Sequence, residues 1–192
     1  LDKQYHWGID LSSVKNDNVY SANRGQVVLV EKTLGIYGGV VIIDHGIGFY
    51  TLYSHLDTIN VNKGDNDGWP PLHYAAEENS ADAIRVLHEL SADVSKGDDD
   101  GWTPVHYAAH KNSVDAIRVL HELGADVNKG NDDGRTPVHY AAQENSADAI
   151  RVLIELGAYV NKGDDDGRTP VHSAAHENFM DASRLLHELG AD

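Results

Sequence analysis

Histidines and carboxylates are the side chains of this sequence that could bind a metal ion, because the chain contains 12 His, 31 Asp and Glu, and no Cys. Two of them, His6 and Asp10, lie four residues apart in "HWGID". Residues at this spacing in an extended segment point to the same face, so both side chains could reach one ion. A His and an Asp at this spacing are also common on solvated surfaces. The pair is a candidate metal site, and the surface alternative stays open.

The segments around this pair have the pattern of a small β unit. Runs of β-branched and aromatic residues alternate with Gly-containing breaks at 25–33, 38–45, 48–56 and 58–62. Short runs separated in this way predict consecutive antiparallel strands. Two further histidines, His45 and His55, lie in the predicted strands.

The order of these segments resembles a known family. "HWGIDL", "VYSANRGQVVLVEKT", "YGGVVIIDHGIGFYTLYSHL" and "INVNKGD", over residues 5–65, are similar to the lysostaphin-like zinc endopeptidases, which cut peptidoglycan cross-bridges. The resemblance implies that His6 and Asp10 are zinc ligands, that His55 is the catalytic histidine, and that His45 is structural. Zinc in such a site lowers the pKa of its bound water and polarises the scissile carbonyl.

The zinc site that the resemblance implies is incomplete. A catalytic zinc needs a third protein ligand, which this family takes from a later His-x-His motif. No His-x-His occurs in the sequence, so we expect an inactive remnant with zinc as its candidate cofactor. The alternative is a working peptidoglycan endopeptidase that takes its third ligand from the following segment or from another chain. His73 and Glu77 are the nearest candidates in the sequence.

Residues 66–192 repeat with a period of 33. A shift by 33 superposes the prolines Pro71, Pro104, Pro137 and Pro170, and after each of them a His and an Ala-Ala pair. A turn followed by two short helices at this period predicts an array whose units bury their apolar faces against their neighbours. "DGWTPVHYAA" at 100–109 and "GADVNKG" at 124–130 resemble ankyrin repeats.

The two resemblances together predict a fusion of an incomplete peptidase-like domain with an ankyrin array. The predicted fold class is a two-part α+β chain, in which a short antiparallel β unit precedes an all-α solenoid of about four repeats. The predicted boundaries are 1–65 for the β unit and 66–98, 99–131, 132–164 and 165–192 for the repeats.

Each predicted repeat contains its own helix signals. The prolines stand at the first helical position, where a missing N–H is harmless. Asn at 79, 112, 145 and 178 suits the left-handed conformation that ends a helix. Ser at 80, 113 and 146 predicts N-caps for the second helices. The His at 73, 106, 139 and 172 follows the period of the fold, so we interpret it as a hydrogen-bonding residue between turns and not as a metal ligand.

Function is expected where otherwise similar repeats differ. Asp100–Asp132 and Asp133–Asp165 agree at 26 of 33 positions, and the resemblance places three of the differences at the hairpin tip and at the end of the first helix, where ankyrin arrays contact partners. Exposed Trp and Arg often anchor interfaces. Neutral drift after duplication is the alternative. The predicted partner-binding residues are Trp69, Glu77, Trp102, His110, Lys111, Arg135, Gln143, Glu144, Arg168 and His176.

Charge narrows the classes of partner. The chain has a formal net charge of −16, and residues 65–192 contain 25 acids against 10 bases. Such an array repels nucleic acid phosphates and anionic membrane surfaces, so we expect neither as a partner. The predicted partner is another protein, bound through the concave ankyrin face, and peptidoglycan only if the N-terminal site is functional. The compartment stays open, because ankyrin arrays are usually intracellular or delivered into a host cell, whereas a cell-wall hydrolase acts in the envelope or outside the cell.

Overall fold

The computed structural model describes three backbone segments among residues 1–60, and both backbone and side chains at residues 61–62, 64 and 68–192. The three segments are the strands β1 (Gln26–Glu31), β2 (Gly39–Asp44) and β3 (Tyr50–Leu56). The strand β2 pairs antiparallel with both others, in the order β1-β2-β3. Val41 of β2 lies opposite Val30 of β1 and Tyr53 of β3, and each pairing contains one register shift.

The part of the chain described with its side chains contains eight α-helices in four pairs. The first helix of each pair has seven residues and the second has nine. The helices are α1 (Pro71–Glu77), α2 (Ala81–Glu89), α3 (Pro104–His110), α4 (Val114–Glu122), α5 (Pro137–Gln143), α6 (Ala147–Glu155), α7 (Pro170–His176) and α8 (Met180–Glu188).

The predicted α+β class is wrong for this part of the chain, which is all-α: residues 68–192 form only helices, turns and extended connections. The physical reason is that neighbouring repeats, and not a sheet, close the described core. Its fully buried side chains recur at the repeat period, as Ile84, Ile117 and Ile150 do. The three strands belong to the segment whose side chains are not described. The predicted domain boundaries stay a prediction.

The core extends continuously along the array. First helices pack against first helices and second helices against second helices, so each repeat covers the apolar face of its neighbour. The largest fully buried side chains include one Leu from each second helix: Leu87, Leu120, Leu153 and Leu186. Truncating such a Leu to Ala typically lowers the free energy of unfolding by about 2–5 kcal/mol. The packing between each pair of neighbouring repeats therefore contributes to the stability of the array.

The first helices begin where the sequence predicts, with Pro at the first position. In α3, the hydroxyl of Thr103 and the ring of His106 form a capping box, and the same arrangement precedes α5 and α7. The residue before α1 is Pro70, which has neither an N–H nor a hydroxyl. The predicted left-handed asparagines are confirmed, with φ between 54° and 59°.

The predicted Ser N-caps of the second helices are wrong. Ser113 makes no capping bond in α4 and instead donates its hydroxyl to the carbonyl oxygen of Glu77 in the preceding repeat, at 2.9 Å. The orphan amide of Ala116, in the first turn of α4, donates to the side-chain oxygen of Asn79 at 2.9 Å. The asparagine that ends the first helix of one repeat therefore caps the second helix of the next.

Candidate partner-binding surface

The predicted zinc site stays a prediction. His6 and Asp10 lie outside the described residues, and His55 lies on β3, where only the backbone is described. Among the residues described with their side chains, no group of three or more His, Cys, Asp and Glu is placed to hold a metal ion. No helix in this same part of the chain is long and apolar enough to span a membrane.

The two residues considered as a third zinc ligand are both engaged within the array. His73 is completely buried, and its Nε2 lies 2.9 Å from the carbonyl oxygen of Trp102. The carboxylate of Glu77 lies 3.5 Å from the Nζ of Lys111. These contacts give both residues a structural role between the first and second helix pairs.

Tight turns at 98–102, 131–135 and 164–168, called the hairpins below, precede the first helices α3, α5 and α7. The repeating histidines fix these hairpins, which carry several of the predicted binding residues. The Nδ1 of His106 accepts a hydrogen bond from the amide of Thr103 at 3.0 Å, which leaves the proton on Nε2. Nε2 donates to the carbonyl oxygen of Arg135 in the next repeat at 3.0 Å, and His139 does the same to Arg168 at 2.9 Å. Burial lowers the pKa of His106 to about 4, although the bond to Arg135 acts in the opposite direction. The hydrogen-bonding role predicted for these histidines is confirmed.

An aromatic ladder runs along the array from Trp69 to Arg135. It consists of Trp69, Tyr107, Trp102, Tyr140 and the guanidinium of Arg135. Successive ring centroids lie 4.2, 5.0 and 3.9 Å apart, and the guanidinium carbon lies 4.5 Å from the last centroid. Each Trp packs against the Tyr of the following repeat, so both indoles are half-buried and are held by their neighbours.

The two predicted arginines differ in their surroundings. Arg135 is half-buried, and besides lying over Tyr140 its guanidinium donates to the side-chain oxygen of Gln143 at 2.6 Å and to the hydroxyl of Ser173 at 3.4 Å. The side chain of Arg168 is 67% exposed and lies 3.3 Å from the carboxylate of Asp166. Arg168 is thus the more accessible of the two.

Several of the predicted residues at the ends of the first helices contact residues of neighbouring repeats. The Nε2 of His110 lies 3.4 Å from the carboxylate of Glu144, and the ring of His110 lies 6.0 Å from that of Trp102. Lys111 pairs with Glu77 of the preceding repeat. His176 lies apart from these contacts, with its Nδ1 3.0 Å from the carboxylate of Glu177.

An open groove of about 390 Å³, called the Trp groove below, lies between Trp69 and the hairpin at 98–102. It has aromatic walls and several carboxylates, and neither Lys nor Arg is among its described lining residues. These are Trp69, Glu77, Asp98, Asp99, Asp100, Trp102, Tyr107 and His110.

The sequence-based prediction missed four of the residues that line this groove: Tyr107, Asp98, Asp99 and Asp100. Asp98 accepts hydrogen bonds from the amides of Trp102, at 2.8 Å, and of Asp100, at 3.0 Å, and from the hydroxyl of Tyr107. Burial and the contact with Asp98 raise the pKa of the Tyr107 hydroxyl. The recurrence of Tyr at 74, 107 and 140 was the available signal, since an aromatic residue repeated with the period of the fold indicates a shared contact.

Two protein families match the sequence. The family described as "Ankyrin repeats (3 copies)" matches residues 42–131 and 120–192, and the chain therefore belongs to the ankyrin repeat family. Peptidase family M23 matches residues 4–66. The predicted fusion of ankyrin repeats with a truncated peptidase-like segment is confirmed at this level.

A curated relative also matches part of the chain. It is the "Uncharacterized lipoprotein YgeR" of Escherichia coli (strain K12), which is 39% identical over 59 residues. The aligned stretch covers 31% of this chain and 24% of the length of the relative. It therefore supports a likeness of one segment and not of the whole protein.

Proposed function

We propose that the helical array is a protein-interaction module that binds its partner through the surface formed by the hairpin tips and the ends of the first helices. The observation that carries this proposal is the proximity of three of the seven positions at which two otherwise similar repeats differ. Trp102 lies beside His110, His110 pairs with Glu144, and Arg135 donates to Gln143. These substitutions thus change one continuous surface, while the fully buried apolar side chains, such as Ile117 and Ile150, are the same in both repeats.

Selection of displayed random peptides against the full chain tests this function. Peptides that bind this surface should lose about tenfold in affinity for a His110→Ala, Gln143→Ala variant, because both side chains lie on it. The matched control is His88→Ala, His121→Ala, which truncates two imidazoles on the second helices α2 and α4. Peptides that depend on the control positions instead, or a selection that enriches none, would overturn the proposal.

For the N-terminal segment we propose an incomplete zinc endopeptidase that lacks activity. The match to peptidase family M23 supports the relationship, and the absence of a His-x-His motif from the sequence supports the incompleteness. Only if a third ligand completed the site would His6 and Asp10 hold a zinc ion and His55 act on the attacked carbonyl. The lipoprotein name of the matched relative favours the cell envelope as the location of this segment.

Zinc content decides between the incomplete site and the alternative of a working peptidoglycan endopeptidase. The full chain is stripped with chelator, reloaded with zinc, and compared with a His6→Ala, Asp10→Ala variant and with a His45→Ala control. The proposal predicts no retained zinc in any of the three chains. One zinc per chain that only the His6→Ala, Asp10→Ala variant loses would overturn it and make peptidoglycan cleavage the next measurement.

A further inference from the structure

The Trp groove combines two features that attract a cation. Its lining contains the aromatic rings of Trp69, Trp102 and Tyr107, and a ring of this kind attracts a cation. It also contains four carboxylates, those of Glu77, Asp98, Asp99 and Asp100. Its volume of about 390 Å³ lies within the range of small ligand sites.

Two of these carboxylates are engaged and two are available. Asp98 accepts hydrogen bonds within its own hairpin, and Glu77 pairs with Lys111. Asp99 and Asp100 are exposed, and neither forms an ion pair with another described residue. The charges of Asp99 and Asp100 are therefore not balanced by an ion pair among the described residues.

The following repeat contains a cation that packs against the rings of the aromatic ladder. Position 135 corresponds to Trp102 and position 140 to Tyr107, one repeat later. There the guanidinium of Arg135 lies 4.5 Å from the centre of the Tyr140 ring and donates to Gln143 at 2.6 Å. A guanidinium thus fits this ladder when one face meets an aromatic ring and its edge meets an oxygen acceptor.

We propose that the Trp groove receives an arginine side chain of a partner protein, packed against Trp102 with its N–H groups directed at Asp99 and Asp100. Arginine suits this site better than lysine, because its planar and weakly hydrated group stacks on aromatic rings and forms paired bonds to carboxylates. This inference deepens the function proposed above and rests on it. It specifies the partner as a segment that carries an exposed arginine.

The peptides selected against the full chain provide the probes. The proposal predicts that they are enriched in arginine, and that replacing one of the arginines with citrulline weakens binding about tenfold, because citrulline keeps the planar shape and loses the charge. Replacement of the same arginine by lysine should weaken binding less than citrulline does. Affinity, measured by fluorescence anisotropy, should also fall as ionic strength rises.

Variants of the chain locate the effect. Asp99→Asn, Asp100→Asn should weaken the arginine peptides about tenfold, and so should Trp102→Arg, which places at this position the residue that the next two repeats carry. The control Asp82→Asn, Asp148→Asn removes two exposed charges from the second helices and should change affinity less than about twofold.

The possible outcomes separate this inference from the proposed function. If the peptides depend on His110 and Gln143 but tolerate citrulline or the Asp99→Asn, Asp100→Asn change, the arginine site is wrong and the interaction surface stands. If binding depends on lysine or on no cation, the inference is likewise overturned. Peptides that ignore His110 and Gln143 overturn the function and the inference together.

Discussion

The Nε2 atom of His106 donates a hydrogen bond to the carbonyl oxygen of Arg135, 29 residues further along the chain. The opposite ring nitrogen accepts from the amide of Thr103, so one neutral imidazole connects the start of its own helix to the next hairpin. Protonation of Nδ1 would place a donor against a donor. The hairpins that display the predicted binding residues are therefore held by groups that must remain uncharged.

Stability should decrease in mild acid for this reason. Burial lowers the pKa of His106 from 6.5 to about 4 and also lowers the pKa values of His73 and His139. Below pH 6.5 these histidines bind protons in the unfolded chain but not in the folded chain. The free energy of unfolding is therefore largest above that pH and falls as pH drops toward 4. For His106 alone the loss reaches about 2 kcal/mol by about pH 5. Urea unfolding followed by circular dichroism measures it.

The matched pair for this experiment is His106→Gln and His88→Gln. The first variant should be less stable at neutral pH and should lose stability less steeply in acid, because it lacks the buried imidazole. The second removes an exposed imidazole and should keep the full pH dependence. Identical pH profiles for the original chain and His106→Gln would contradict the assignment.

The first repeat lacks one bond of this arrangement. The Nδ1 of His73 is buried and has no hydrogen-bond partner among the described residues, because Pro70 occupies the position of Thr103 and has no N–H. Pro70→Thr should stabilise the chain by about 1 kcal/mol, since a satisfied buried group outweighs the loss of proline's restriction on the unfolded chain. The backbone of Pro70 is already extended, like that of Thr103. The urea midpoint reports the change.

The reverse substitution is the control for this prediction. Thr103→Pro should remove the amide donor of His106 and destabilise the chain by about 1–3 kcal/mol. If Pro70→Thr lowers stability, or if Thr103→Pro leaves it unchanged, the amide bond to the imidazole is not the source of the effect.

Local sequence signals were sufficient for the helices of the array. The 33-residue period located the repeats in the sequence. The Pro at each first helical position and the left-handed Asn at the end of each first helix act on the backbone of their own repeat. The same signals identified His106 as a hydrogen-bonding residue because it recurs with the fold. The α+β class was wrong because it combined the predicted strands with an array in which helices are the only regular elements among residues 68–192.

Other contacts between repeats were not predicted from the sequence. Ser113 stands where an N-cap belongs, yet the amide that needs a cap finds Asn79, which lies 37 residues before Ala116. Trp102 has the residue type of an exposed anchor, but Tyr140 of the next repeat covers part of it. In both cases the competing partner comes from another repeat, and only the packing of the array brings it near.

A second missing bond lies in the loops between helix pairs. Asn128 donates to the carbonyl oxygen of Gly157 at 3.0 Å and accepts from the amide of Tyr159 at 2.8 Å, and Asn62 and Asn161 make the equivalent pairs of bonds. Ser95 occupies this position in the repeat 66–98 and makes no corresponding side-chain bond among the described residues. Ser95→Asn should therefore stabilise the chain by about 1 kcal/mol.

The turns around Ser95 and Asn128 have the same amide-to-carboxylate hydrogen bond, so the two substitutions can be compared directly. The amide of Ser95 donates to Asp93 at 2.9 Å and the amide of Asn128 to Asp126 at 2.8 Å. Asn128→Ser should accordingly cost what Ser95→Asn gains, and thermal unfolding monitors both. Two changes of the same sign would show that the bonds across the joint do not determine stability.

Asn112 combines two roles that substitution can separate. Its φ of 58° favours Asn or Gly, and its side-chain oxygen accepts from the amide of Ala149 at 2.8 Å. Asn112→Gly keeps the backbone conformation and removes the cap, so it should cost about 1 kcal/mol in the free energy of unfolding. Asn112→Ala should cost about 1 kcal/mol more, because Ala is strained in the left-handed region.

Asn178 is the matched control for the capping role. It has the same conformation, with φ of 59°, but its side chain caps no helix among the described residues. Asn178→Gly should therefore leave the free energy of unfolding nearly unchanged. Equal losses of unfolding free energy in Asn112→Gly and Asn178→Gly would mean that the backbone conformation alone accounts for the regular recurrence of Asn within the array. A loss confined to Asn112→Gly would establish that each repeat caps a helix of its neighbour, which makes the folding of adjacent repeats mutually dependent.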